Sequence, residues 1–270
     1  MIPTCNLHAH TTFCDGKNTA EEMVRGAIAL GCTTLGLSGH SPLSFADWCM
    51  KDSDLDAYRQ EIARLRKQYE GQIELLCGIE YDILSTCSTE GYDYIIGSVH
   101  HVVREGIYLP VDGSIKMVVE GVEQLFGNDY IAYARAYYEQ MYDLCDRTKC
   151  DIVGHFDLLT KHNENDELFD TGDRRYRQTA LEALDDLLEQ DKILELNTGA
   201  ISRGYRTTPY PAPFLLRYIA EKKGRVMINS DSHAADTILF AYAEAVEYAK
   251  SCGIRELTVY QNGGFDVIGI

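Results

Sequence analysis

The chain is 270 residues long and carries 42 Asp and Glu against 25 Lys and Arg, a net charge of −17. That balance argues against a nucleic-acid backbone or an anionic membrane as the main partner, since both are polyanions. It leaves room for a small anionic substrate, because bound cations reverse a local field.

Short apolar runs recur near residues 4–9, 33–38, 73–79, 93–99, 151–154, 193–197, 226–230 and 256–260, with helical patterns between them. Thr19, with Glu22 three residues on, predicts a capping box at the start of the first helix. A second helix is expected from Ser53 or Asp54, because Leu55, Tyr58, Ile62, Leu65 and Tyr69 recur at spacings of three and four. Residues 101–128 contain Gly106, Pro110, Gly113, Gly121 and Gly127 and read as a loop excursion with one short helix. Leu181, Leu184, Leu187 and Leu188 return to the helical period. The alternation predicts an α/β fold, a parallel sheet wrapped by helices. A chain of this length suits one α/β barrel or two smaller domains. No linker, repeat or low-complexity tract interrupts it.

The nine cysteines form no C-x-x-C pair, so a thiolate zinc site is not expected. Their odd number, with no basic or apolar signal segment after Met1, is expected of reduced thiols in a cytoplasm, most of them small core residues. No apolar run reaches the ~18 residues of a membrane span.

Six of the eight histidines fall at or just past the end of an apolar run: His8, His10, His40, His100, His155 and His233. Glu80 and Asp231 do the same. In a parallel barrel this is the end where active sites form. Alternate strand residues share a face, so His8 and His10 can reach one centre, and Asp231 and His233 repeat that geometry. Any one of these, His40 especially, is explained as well by a hydrogen-bonded strand-end residue. The group is not, because converging imidazoles and acids need a cation to order them. Asp15, in Cys14-Asp15-Gly16-Lys17, reads by itself as a turn. Asp157 is expected as an acceptor behind the ligands, and His101 and His162, away from strand ends, as outer or surface residues. Nine nitrogen and oxygen donors exceed what one ion takes. They imply two or three divalent ions of Zn, Fe or Mn, a centre suited to hydrolysis.

The order of motifs resembles the PHP (polymerase and histidinol phosphatase) family across essentially the whole chain. The motifs are His8-Ala9-His10, Asp15-Gly16-Lys17, Gly39-His40-Ser41, Gly78-Ile79-Glu80, Ser98-Val99-His100, Gly154-His155-Phe156-Asp157 and Ser230-Asp231-Ser232-His233. The resemblance implies a single domain over 1–270, a distorted TIM-like (βα)7 barrel with a trinuclear metal site at the C-terminal ends of the strands. It implies one ion on His8, His10, Glu80 and Asp231, a second shared by Glu80 with His100 and His155, and a third on Asp15, His40 and His233. The length, Ser98-Val99-His100-His101-Val102, the loop Tyr108–Gly113 and Gly263-Gly264-Phe265 are similar to the stand-alone histidinol-phosphatases of that family. They imply hydrolysis of L-histidinol phosphate in histidine biosynthesis.

A phosphate also needs cationic donors. Lys161 follows the fifth run, and Arg203 and Arg206 lie in the loop after the sixth. Arg203 is the first choice, since Gly and Ser around it suit close approach of a ligand and an arginine fork matches phosphate. His101 is a further candidate on the substrate. Glu80 is expected to bridge ions, and Asp15 to assist the departing alkoxide if it is not a ligand. Two rivals stand beside this reading: a phosphoesterase for other small esters or nucleotide ends, and a metal-binding regulatory protein without turnover.

Overall fold

The computed structural model describes residues 1–270. In chain order the elements are β1 (Cys5–Asn6), α1 (Ala20–Ala29), β2 (Thr34–Leu37), α2 (Leu55–Gln68), β3 (Glu74–Asp82) and β4 (Tyr94–Ser98). There follow β5 (His101–Arg104), β6 (Ile107–Pro110), α3 (Ile115–Phe126), α4 (Tyr130–Glu139), α5 (Met141–Thr148) and β7 (Ile152–Val153). The chain ends with α6 (Arg174–Glu189), β8 (Ile193–Asn197), α7 (Gly199–Ser202), α8 (Pro213–Lys222), β9 (Arg225–Asn229), α9 (Tyr242–Ser251), β10 (Glu256–Gln261) and β11 (Gly264–Gly269).

Seven strands pair in parallel in the order β1-β2-β3-β4-β7-β8-β9. Between β9 and β1 there is no ladder. Past their ends, His10 N donates to Ser232 O at 2.8 Å and Ser232 N to His8 O at 3.1 Å. Lower down, side-chain amides do the work of a strand: Leu7 N donates to Asn229 Oδ1 at 2.8 Å and Ser230 N to Asn6 Oδ1 at 3.1 Å. The result is a nearly closed barrel.

Strand periodicity divides the barrel interior into an apolar floor and a polar top. Leu76, Tyr94, Ile96, Ile152, Ile193 and Met227 form a buried cluster with Val259 of the C-terminal hairpin. Two, four or six residues further along the same strand faces stand Glu80, Asp82, Ser98, Glu195, Asn197 and Asn229, all buried. The Tyr94 ring crosses the interior where Gly36 and Gly78 leave it space, and its hydroxyl donates to Leu7 O. A Cβ at either glycine would run into that ring.

The helices cover the outside. Thr19 and Glu22 form the expected capping box, and α2 buries Tyr58, Ile62 and Leu65 against the sheet. Each such side chain contributes about 1.5–3 kcal/mol. The leucine pattern of α6 buries Leu184 and Leu187.

Two segments differ from the sequence reading. Residues 101–128 are an antiparallel hairpin, β5 with β6, followed by a three-turn helix. Glu105 and Gly106 turn the hairpin with φ of 53° and 77°, the both-positive geometry of a type I′ turn. Gly121, counted above among the glycines of a loop excursion, sits in α3 where a Cβ would strike Leu109; the glycine lets the helix lie on the hairpin. The eighth apolar run does not extend the barrel sheet. It is β10, paired antiparallel with β11. No helix is long and apolar enough to cross a membrane.

Candidate metal centre

The polar top of the barrel collects the strand-end side chains around Glu80. β3 runs on through Glu80 to Asp82, so Glu80 is held inside a strand and not at its end. Its Oε1 lies 2.8 Å from His155 Nε2 and 3.2 Å from His100 Nε2. Its Oε2 lies 2.7 Å from His40 Nδ1, 3.3 Å from His8 Nε2 and 3.6 Å from His10 Nε2. Asp231 Oδ1 faces the same space, 3.1 Å from His10 Nε2 and 3.7 Å from His8 Nε2. On the outer side Asp15 meets His10 at 3.8 Å, His40 at 3.6 Å and His233 at 3.2 Å. His155 and Asp231 both have positive φ, 20° and 47°. Such backbone strain costs of order 1–3 kcal/mol and persists where the surroundings impose it.

Four overlapping groups of donors lie within 4.8 Å of one another: His10, Asp15, His40 and His233; His8, His155 and Asp231; His8, His10 and Glu80; His40, Glu80 and His100. All nine residues singled out in the sequence come together. His10 falls in both the outer and the inner groups, and His155 lies with His8 and Asp231 as well as against Glu80.

The donors fit divalent cations. His8 Nε2, His10 Nε2 and Glu80 Oε2 are fully buried and lack any hydrogen-bond partner, the close approaches above being out of hydrogen-bond alignment. Buried polar atoms left so are costly, and a cation bound among them removes that cost. Their charge states suit the same role. Burial works against an ionised Glu80, yet the imidazoles of His40, His8 and His100 hold it well below the usual carboxylate range. Against the same effect of burial, Asp231 is held far down by Arg203 and His8, and Asp15 by His233, His40 and His10. Burial, with His233 and His40 beside it, pushes the His10 imidazole down to about 3, so it is neutral. Nine imidazole and carboxylate donors in four sharing groups suit two or three divalent ions.

Two carboxylates behind these side chains went unnoticed in the sequence. Asp82 Oδ2 sits 2.9 Å from His100 Nδ1 and accepts from His100 N at 3.2 Å. Glu195 Oε1 sits 2.7 Å from His8 Nδ1. Their signal was available: Asp82 follows Glu80 by two on one strand face, and Glu195 is an acid inside the apolar strand Ile193-Leu194-Glu195-Leu196. Asp157, expected in this place, bonds no ligand; its Oδ2 accepts from Ala212 N at 2.9 Å and pins the loop before α8.

Above the cluster opens a cavity of about 560 Å³. Phe45, Trp48, Tyr108 and Met117 form an apolar wall, and Lys161 and Arg203 face it. The Arg203 guanidinium reaches Asp231 Oδ2 at 3.0 Å, Asp231 O at 3.1 Å and His233 Nδ1 at 2.8 Å. Lys161 donates to Asp112 O at 2.6 Å. His101 is buried on the cavity wall, edge-on to Phe45 at 5.1 Å. Arg206 does not line the cavity. It is buried on Thr160 O and Oγ1, at 2.8 and 2.9 Å, and stacks over Tyr210. His162, half-buried, hydrogen-bonds Gly113 O at 2.8 Å.

The chain and its fold have counterparts among known proteins. The probable histidinol-phosphatase of Deinococcus radiodurans is 29% identical over 96% of this chain and 97% of its own. That of Schizosaccharomyces pombe is 27% identical over 95% and 89%. The crystal structure of histidinol phosphate phosphatase from Lactococcus lactis, complexed with Zn, L-histidinol and phosphate, superposes with a TM-score of 0.74 at 21% identity, covering 97% of this chain and 98% of that one. The family model described as the PHP domain matches residues 6–199, a span that takes in seven of the nine clustered side chains and most of the barrel. With homologous histidinol-phosphatases matched along nearly its whole length, the chain belongs to the PHP domain family.

Proposed function

We propose that the protein is a metal-dependent phosphate monoester hydrolase whose substrate is L-histidinol phosphate. The observation that carries the hydrolase reading is the buried Glu80 carboxylate ringed by five imidazoles, with three buried polar atoms left without partners. The substrate reading is supported by the names of the relatives and by the ligands of the Lactococcus lactis structure.

In this reading His8, His10, Asp15, His40, Glu80, His100, His155, Asp231 and His233 would hold the cations. Bound there, the cations supply an acidified water and neutralise phosphoryl charge. Arg203, at the cavity edge of the cluster, orients the phosphoryl group, and Lys161 adds a second positive charge beside it. Asp15 is ionised, which suits a ligand and speaks against its serving as proton donor. The aromatic wall and His101 take the remainder of the ester. A wall that pairs the polar groups of its own substrate rejects an ester lacking them. The test is steady-state kinetics on metal-loaded protein. L-Histidinol phosphate is expected to exceed a plain aryl phosphate by at least ~100-fold in kcat/KM, the scale of two lost contacts. Equal efficiency would remove the substrate assignment and leave the hydrolase.

A further inference from the structure

Glu195 lies in the middle of β8 and has no solvent exposure. Burying a carboxylate there is unfavourable unless every lone pair is used. The structure uses four. Oε1 is 2.7 Å from His8 Nδ1 and accepts from Asn229 Nδ2 at 3.0 Å. Oε2 accepts from His155 N at 2.9 Å and from Asn197 Nδ2 at 2.8 Å. Three of these partners are donors in any state, two amides and a backbone N–H. The fourth, His8 Nδ1, meets an acceptor and must carry a proton. In the neutral ring this leaves the lone pair on Nε2, the atom that faces Glu80 and Asp231. A glutamine could not replace this residue, since its amide nitrogen would set a donor against donors on one side.

Glu195 also reaches the cluster by a second route. Its bond to His155 N grips the backbone at the residue whose φ is +20°, and from there the His155 ring extends to Glu80. One carboxylate therefore orients two imidazoles from just past the ends of β1 and β7 and is braced by β8 and β9. The outer group is built differently: none of His10, Asp15, His40 and His233 is among the hydrogen-bond or ion-pair partners of Glu195, and the Asp15 and His233 side chains are 33% and 17% exposed.

We infer that Glu195 is the positioning residue of the inner half of the centre, setting the His8 tautomer and the His155 backbone so that the Glu80–Asp231 side binds its cations tightly, while the outer Asp15 group binds independently of it. This rests on the reading of the cluster as a metal centre. The two are separable by titrating metal-free wild type, Glu195→Gln and Asp15→Asn with Zn2+ against a competing chelator, each variant first shown to be folded by circular dichroism. The step missing from Asp15→Asn identifies the outer position. Glu195→Gln is expected to weaken the inner steps by about 10–100-fold, as loss of an outer partner does elsewhere, and to leave the outer step within about twofold. A general loss of structure would weaken both alike, and that outcome, or unchanged inner steps, overturns the inference. Wild type that takes up no Zn2+ overturns the metal-centre reading as well. The 15N spectrum of Zn2+-loaded wild type needs no variant and stands if Glu195→Gln does not fold. His8 is expected to show a protonated Nδ1 and a metal-shifted Nε2; the reverse tautomer overturns the inference.

Discussion

Glu80 Oε2 and His10 Nε2 lie 3.6 Å apart, both fully buried and neither with a hydrogen-bond partner. Two acceptor atoms repel at that range unless a cation stands between them. Glu80→Gln keeps the shape and removes the charge that five imidazoles share. The variant is expected to lose bound metal and nearly all turnover. Elemental analysis beside a rate measurement checks this; full metal content with near-normal kcat would contradict it.

Cation binding is expected to release protons. In the metal-free fold, burial opposes the charged forms of His8 and His100. The carboxylates of Glu195, Glu80 and Asp231 around His8, and of Glu80 and Asp82 around His100, nonetheless raise both well above 6.5. A histidine raised in this way contributes stability that is complete below about 6.5 and lost as pH rises through its raised value. Cations need the same imidazoles neutral, so binding displaces the protons and weakens as pH falls. His10, already neutral, releases none. Calorimetry at pH 7 in buffers of different ionisation enthalpy is expected to read about two protons released on filling the centre. No release would contradict the charge states described.

Arg203 sits on Asp231 and His233 at the cavity edge. Arg203→Ala is expected to remove a charge-assisted contact of about 1.5–3 kcal/mol, or roughly one to two decades in kcat/KM. Inhibition by inorganic phosphate is expected to weaken in parallel. Unchanged inhibition would limit Arg203 to bracing Asp231.

Gly78→Ala tests the barrel interior. The added methyl meets the Tyr94 ring, which is buried in the barrel interior. Overpacking of this kind costs about 1–3 kcal/mol or more. Thermal unfolding of the metal-free variant is expected several degrees below wild type, and an unchanged Tm would mean that the ring moves aside.

Much of the site was legible because six histidines, Glu80 and Asp231 all fall at the ends of apolar runs; strand period two, a weak signal in any one pair, then sets His8 with His10 and Asp231 with His233 on one face. The same rule would have found Asp82, two beyond Glu80, and Glu195, an acid between leucines; both were passed over because neither stands at the end of an apolar run. Gly121 misled for a different reason. A glycine that admits Leu109 looks, in one dimension, like a glycine that breaks a helix. The turn at Glu105-Gly106 has the same ambiguity until Val102 and Leu109 are seen buried on one face. How the barrel closes was out of reach, since it depends on the side chains of Asn6 and Asn229 meeting backbone from the other end of the chain.

The most direct test of the central claim is phosphate release from L-histidinol phosphate by one preparation of protein in three states: as loaded with divalent metal, after stripping with chelator, and after metal is returned. The account predicts rapid release by the loaded protein, loss of nearly all of it on stripping, and recovery on reconstitution. Hydrolysis that survives removal of the metal, or a fully loaded protein that releases no phosphate from this ester, would contradict it.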